Sequence, residues 1–419
     1  MKVSISKSQT HGILDAPSSK SYTIRAMMCA ALSPGQSYIR RALVSDDTLA
    51  AADVLQAIGV SIFKSEYGWH IGGGNFKRPN SELFCRNSAA TLRFMAAIAA
   101  LAPGTKLLVP GEGLSKRPVS PLLEAMTQLG VKCHLDGPIV VVESDSFPGG
   151  DVALPGDISS QFISALLIAG PLSQKGVNIK LTTPLTSKPY ISMTIECIRK
   201  FGVRVNAALD MNEFSVVKQE YRPTDYTIEG DWSQASYLMA LGILSGETII
   251  TNLNAESLQG DRAALGLMQR MGAHFSVRRS SVMAQQSFLH SITADMSNCI
   301  DLLPTLAVLA AVAEGASHFN NIKTARLKES NRVAALCQEL HKMGIRTIED
   351  ENTLTVIGGY PHGAEIDSHS DHRLAMAFGV LGTAIGDTII CDAECVDKTY
   401  PQFWQALTTL GAKVEHDDK

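Results

Sequence analysis

Nine basic residues lie in or near polar segments that open helix-like stretches of this chain: Lys20, Arg25, Arg93, Arg117, Lys188, Lys328, Arg332, Arg373 and Lys398. That position is unfavourable for them, because the free amides of a helix start carry partial positive charge and cations concentrate at the opposite end. An anion compensates: free N–H groups joined by Lys or Arg make a strong phosphate or carboxylate site. Two carboxylates interrupt the field. Asp301 heads an apolar stretch with no base beside it in sequence, and Glu329 stands between Lys328 and Arg332. Acids set among several bases suit proton transfer on a polyanionic substrate. The plain alternatives are a solvated surface charge for each base, a helix cap for Asp301 and half of a surface ion pair for Glu329.

The elements that must position these groups are legible as starts and stops. Start signals include Ser19-Lys20-Ser21, Ser45-Asp46-Asp47, Asn87-Ser88, Ser115-Lys116-Arg117-Pro118, Ser159-Ser160-Gln161 and Ser187-Lys188-Pro189 in the first half. The second half adds Asp231-Trp232-Ser233, Gln259-Gly260-Asp261, Asp301, Lys328-Glu329-Ser330, Asp371-His372-Arg373 and Asp397-Lys398-Thr399. They predict about twelve helices, with Ser, Asp and Asn capping first turns. Residues 26–32, 94–101 and 302–312 are apolar nearly all round, as buried helices are.

Stops come as a repeat. Gly59, Gly130, Gly202, Gly272, Gly344 and Gly411 fall roughly 70 residues apart, each after a hydrophobic residue and before a small or β-branched apolar one. A glycine just past a helix takes the left-handed conformation, and alternating segments such as 203–217 follow, so helix, glycine, strand is the unit. The expected layout is buried helices wrapped by sheets, with many helix starts facing a common cleft between halves.

At 419 residues the chain exceeds what one hydrophobic core usually serves, so two domains of three repeats each are expected. Apolar residues at 45% and charged ones at 19% describe a globular protein. A net charge of −4 disfavours nucleic acid and membrane surfaces as partners, leaving anion binding to a local basic cluster. No signal peptide or spanning run is read, and eight scattered cysteines suit a reducing compartment, so a cytoplasmic location is expected. Cys391 and Cys395 lack a second pair, His369 and His372 lack a third ligand, and Gly72-Gly73-Gly74 lacks a Walker lysine, so no metal or nucleotide site is assigned. Trp69, Trp232 and Trp404 read as packing residues.

Seven segments together resemble the 5-enolpyruvylshikimate-3-phosphate synthases, a family of enolpyruvyl transferases. They are Ser19-Lys20-Ser21 with Arg25, Lys116-Arg117-Pro118, Ser159-Ser160-Gln161, Ser187-Lys188-Pro189-Tyr190, Arg326 to Arg332, Asp371 to Met376, and Asp397 to Pro401. The resemblance implies a two-domain inside-out α/β barrel with three βαβαββ repeats per domain, helices inside and sheets outside. It places one domain at 18–228 and the other at 1–17 plus 229–419, with the active site in the cleft between them. The implied reaction moves the enolpyruvyl group of phosphoenolpyruvate to the 5-hydroxyl of shikimate 3-phosphate, by a monomer with no cofactor.

Roles follow by motif position. Asp301 would accept the hydroxyl proton and Glu329 would serve the methylene carbon, with Lys20 and Lys328 assisting. Arg117, Arg332, Arg373 and Lys398, with Lys20, Asn87, Ala89 and Gln161, look like the phosphoenolpyruvate side. Ser21, Arg25, Ser159, Ser160, Gln161, Ser187 and Thr324, with Lys20, Asp301 and Lys328, look like the shikimate 3-phosphate side. The sequence also departs from the family: its usual Gly-Asn-x-Gly-Thr loop is Arg86-Asn87-Ser88-Ala89-Ala90, Thr324 stands where many relatives have Asn, and Asn331 replaces a common Asp. The Ala89 methyl should narrow the pocket, weaken phosphoenolpyruvate binding and raise tolerance to glyphosate, a bulkier analogue. A related transferase acting on UDP-N-acetylglucosamine normally has a cysteine in the loop before the Arg-Pro pair, and residues 111–118 have none. A silent repeat scaffold would have no need for Asp301 and Glu329 among bases.

Overall fold

The six glycine markers are helix ends of one kind. In the structure, a computed structural model that describes residues 1–144 and 146–417, their φ angles run from 81° to 99°. After each glycine, the next residue donates its amide to the carbonyl five positions back, as Val203 does to Ile198 at 3.3 Å and Ile345 to Leu340 at 3.0 Å. This bond satisfies a carbonyl that the helix leaves open, and the donor's side chain turns back onto the helix. Val60, Val131, Val203, Ala273, Ile345 and Ala412 are accordingly all buried, which explains why an apolar residue follows every marker.

Residues 150–216 show one full repeat. Strand Gly150–Leu154 leads into helix Ser160–Ala169, strand Val177–Leu181, helix Lys188–Lys200 and the paired strands Asn206–Ala207 and Glu213–Val216. The order is βαβαββ. Gly150–Leu154 pairs parallel with Val177–Leu181, which pairs antiparallel with Glu213–Val216. A parallel pair needs a crossover, and the crossover helix is buried from Phe162 to Ala169 because no charge interrupts it. The second helix is amphipathic, burying Ile191, Met193, Cys197 and Ile198, with Arg199 and Lys200 in its last turn where cations are favoured.

Among the described residues there are six such four-stranded sheets. The chain divides into two compact units, one of Ser18–Ile228 and one of Met1–Pro17 with Glu229–Lys419. In the first, the helices Lys20–Leu32, Ala89–Ala99 and Ser160–Ala169 are buried along nearly their whole length. In the second, Trp232–Ser245, Leu303–Val312 and His372–Ile385 play the same part. The N-terminal strands complete sheets of the second unit: Lys2–Ser6 pairs with Thr388–Cys391 and Lys413–Asp417, and Thr10–Asp15 pairs with Gly246–Thr251. Trp69, Trp232 and Trp404 are buried in these cores. No described helix is long and apolar enough to cross a membrane.

Some expected helix starts are short 3-10 turns instead. Asp301 lies in Ile300–Leu302, Asp261 in Gly260–Ala263, and Lys398 ends Ala393–Lys398, with the next helix beginning only at Phe403. Pro401 accounts for that delay, because the residue before a proline is pushed out of helical conformation. Lys328 likewise follows a 3-10 turn, Lys323–Leu327. Arg25 and Arg93 sit in second turns. The helix-start argument therefore covers Lys20, Lys188, Arg332 and Arg373, and the remaining bases owe their placement to something else.

Candidate functional site

In the unit formed by residues 1–17 and 229–419, that something is carboxylate. Arg332 opens the helix Arg332–Lys342 and is completely buried. Its guanidinium fork reaches three acids: Nη1 is 2.8 Å from Asp301 Oδ1, Nη2 2.7 Å from Glu329 Oε2, and Nε 2.8 Å from Asp371 Oδ2. Asp371 is itself the cap of helix His372–Ile385, accepting from the Arg373 amide at 2.9 Å. Arg373 turns back to Asp301, with Nη2 3.3 Å from Oδ2. Lys328 Nζ is 3.6 Å from Asp301 Oδ1, and Lys398 Nζ is 3.5 Å from Glu329 Oε1. In these pairs four cations meet three carboxylates. Asp301 and Glu329 are neither cap nor surface pair.

Burial alone would raise the Asp301 carboxyl, but Arg373, Lys328 and Arg332 hold it well below the usual carboxylate range. Burial acts against the Arg332 charge as well, and Asp371, Glu329 and Asp301 overcome it, so the guanidinium stays charged. Asp261 behaves differently. It is buried, accepts a hydrogen bond from Ser233 Oγ, and is pushed up to about 7 by burial and by the nearby Asp301 charge. Tyr237, pushed up to about 12 by burial, lies against Arg373. Thr324 is half-buried in the turn before Lys328. Asn331 is exposed and caps its own helix, accepting from the Ala334 amide at 3.3 Å.

The unit of residues 18–228 gathers the other expected residues. Ser19 caps the helix that Lys20 begins, and Lys20 Nζ is 2.9 Å from Asp47 Oδ2. Arg25 is buried and forked onto Thr194 Oγ1 at 2.8 Å, the Ser21 carbonyl at 3.0 Å and the Tyr190 carbonyl at 3.3 Å. Its Cζ lies over the rings of Phe94 and Tyr190, 5.3 and 5.8 Å from their centroids, and burial lowers its pKa. Arg93 binds Ser159 Oγ at 3.2 Å, Gln161 Oε1 at 2.7 Å and the Pro118 carbonyl at 2.7 Å. It thereby joins Ser159 and Gln161 to the segment that carries Arg117, which is half-buried. Ser160 is buried in the first turn of its helix. Ser187 has φ 56° and stands just before Lys188, which is exposed. Asn87 is exposed, and Ala89 is the buried first residue of helix Ala89–Ala99, outside the left-handed region that would demand glycine.

Three anchoring residues had no role assigned from sequence. Arg93 stood among the bases but its bonds to Ser159 and Gln161 span 66 and 68 positions. Asp47 and Asp371 read as ordinary helix-start acids, a reading that conceals their partners Lys20 and Arg332. The one available signal for Asp47 was the doubled acid of its first turn, Asp46-Asp47.

The profile of the family described as EPSP synthase (3-phosphoshikimate 1-carboxyvinyltransferase) matches residues 5–407. A 3-phosphoshikimate 1-carboxyvinyltransferase of Dehalococcoides mccartyi is 45% identical over 420 residues, covering 100% of both chains. One of Methanocaldococcus jannaschii is 39% identical over 417 residues, covering 96% of each. The solved EPSP synthase from Acinetobacter baumannii superposes with a TM-score of 0.83 at 23% identity, over 99% of this chain and 100% of that one. The enolpyruvyl transferase NikO from Streptomyces tendae superposes with 0.82 at 18% identity, over 99% and 98%. At such identities the superpositions speak for the fold alone.

Proposed function

The chain belongs to the EPSP synthase family, and from that premise we propose how its residues transfer the enolpyruvyl group of phosphoenolpyruvate to the 5-hydroxyl of shikimate 3-phosphate. The products are 5-enolpyruvylshikimate 3-phosphate and phosphate, on the route to chorismate and the aromatic amino acids. One observation carries the reading: two carboxylates, Asp301 and Glu329, are held in a single network with four cations.

Asp301 takes the proton of the 5-hydroxyl as its oxygen bonds to C2 of phosphoenolpyruvate. Glu329, protonated once the bound substrate anions draw away its cations, delivers that proton to the methylene carbon, giving a tetrahedral intermediate. It retrieves one from the resulting methyl group as the C–O bond to phosphate breaks. Substrate anions bound at Arg373, Arg332 and Lys328 offset the charge that depresses Asp301, so the base strengthens when substrates arrive. The fixed cations Lys328, Arg332, Arg373 and Lys398, already oriented by their acids, stabilise the negative charge that develops.

Arg117, Gln161, Asn87, Ala89 and Lys20 would complete the phosphoenolpyruvate side. Ser21, Arg25, Ser159, Ser160, Gln161 and Ser187, with Thr324, would hold shikimate 3-phosphate. Both sets serve one reaction only if the two units close over the substrates, which also excludes water. We place the enzyme in the cytoplasm as a monomer that needs neither metal nor nucleic acid. The test is phosphate release by purified protein given phosphoenolpyruvate with and without shikimate 3-phosphate. Release that requires both supports the reading; no release, or release indifferent to the second compound, overturns it.

A further inference from the structure

Arg86 occupies a backbone position that an arginine adopts only against its own preference, with φ 49°. Its side chain explains why it stays there. Nη1 is 2.6 Å from Asp46 Oδ1 and Nη2 is 2.6 Å from Asp53 Oδ2, two acids seven residues apart on the helix Asp46–Ala57. Seven residues are about two turns, so both carboxylates lie on one face and a single guanidinium spans them. The Arg86 carbonyl accepts from the Gly111 amide at 2.6 Å. A Cβ at Gly111 would come within 2.6 Å of Asn87 Oδ1, so the Asn87 side chain is packed against the segment that leads to Arg117.

The same helical turn holds a second group. Asp47, next to Asp46, pairs with Lys20 Nζ at 2.9 Å, and its carbonyl accepts from Thr91 Oγ1 at 3.3 Å. One helix start therefore anchors both Lys20 and the loop of Asn87. We propose that Arg86 is a positioning residue for phosphoenolpyruvate: it locks the Asn87 loop onto helix Asp46–Ala57 through its two ion pairs and sets the loop relative to Lys20. The inference rests on the assignment of Asn87 and Lys20 to the phosphoenolpyruvate side.

The backbone conformation and the tether can be separated. Arg86→Gly keeps φ comfortable and removes the tether. Arg86→Lys keeps the charge, but one ammonium cannot make the two-ended fork. Steady-state kinetics on full-length protein should show the KM for phosphoenolpyruvate raised roughly threefold to tenfold in Arg86→Gly, with partial rescue in Arg86→Lys. The KM for shikimate 3-phosphate and kcat should stay within about twofold. Asp53→Asn should raise the same KM, and adding it to Arg86→Gly should change nothing further. An unchanged KM for phosphoenolpyruvate in Arg86→Gly, or equal rises for both substrates with a lowered Tm, overturns the positioning role. Parent protein that releases no phosphate from the two substrates overturns the reaction assignment itself, and this inference with it.

Discussion

Arg332→Met tests whether the buried network is held by charge. The side chain is 1% exposed and touches Asp301, Glu329 and Asp371, the last with no exposure at all. Breaking a buried pair by removing one member costs about 3–5 kcal/mol, because the other charge is left uncompensated. At about 2–4 °C per kcal/mol for a unit of this size, the transition of residues 229–419 should fall by roughly 6–20 °C. Methionine fills the space, so a cavity adds little. Adding Asp371→Asn is the informative step. An amide keeps an acceptor for the Arg373 amide and hence the helix cap. It also removes the stranded charge, so the second substitution should recover about 1–3 kcal/mol in the methionine background. Made alone, Asp371→Asn weakens a charge-assisted bond at 2.8 Å and should destabilise by a similar amount. Urea unfolding of the parent, both single variants and the double variant measures this change of sign. Turnover should not return with stability, since the guanidinium fork is gone. Equal destabilisation by Asp371→Asn in both backgrounds would refute the reasoning.

Asp301→Asn should lower kcat by about 10²–10⁴, the usual loss for a positioned general base, while shikimate 3-phosphate still binds by calorimetry; an active variant removes Asp301 from the chemistry. Asp261, pushed up to about 7, keeps its proton in the folded state while the unfolded carboxyl loses it near pH 4. Its contribution to stability is thus complete below pH 4 and lost as pH climbs to 7. Asp261→Asn escapes that loss, so its stability relative to the parent should rise between pH 5 and 8, by an amount on the order of 3 kcal/mol. Asp301 stays ionised throughout that window and does not mask the effect; parallel stability curves would count against a protonated Asp261. Ala89→Gly opens space at the first residue of its helix, and inhibition assays should find it more sensitive to glyphosate than the parent. Unchanged sensitivity would end that idea.

Much of the fold was legible because its signals are local. A glycine in left-handed conformation and the apolar residue after it mark a helix end within six positions, as the bond from Val203 to Ile198 shows. Six such ends, with apolar helices between them, fix the repeat and the α/β class without any long-range information. The short turns around Asp301 and Lys398 were less legible. A polar residue ahead of an apolar run signals an α-helix start and a 3-10 turn alike, and what separates them at Lys398 is the restriction that Pro401 puts on Tyr400.

The site was legible as a list and not as a network. Bases near helix starts announced an anion, but that argument holds one residue at a time. The structure shows bases already matched to acids: Lys20 to Asp47, Arg332 to Asp301, Glu329 and Asp371, and, outside that set, Arg86 to Asp46 and Asp53. These partners lie between 3 and 40 positions apart, and only packing decides which acid meets which base. A base matched in this way gives up part of its attraction for an incoming anion. In return it is held in one orientation, so a bound substrate does not have to supply the energy to order it. The oriented cations around Asp301 and Glu329 are then what select for anions, and the acids are what keep those cations in place.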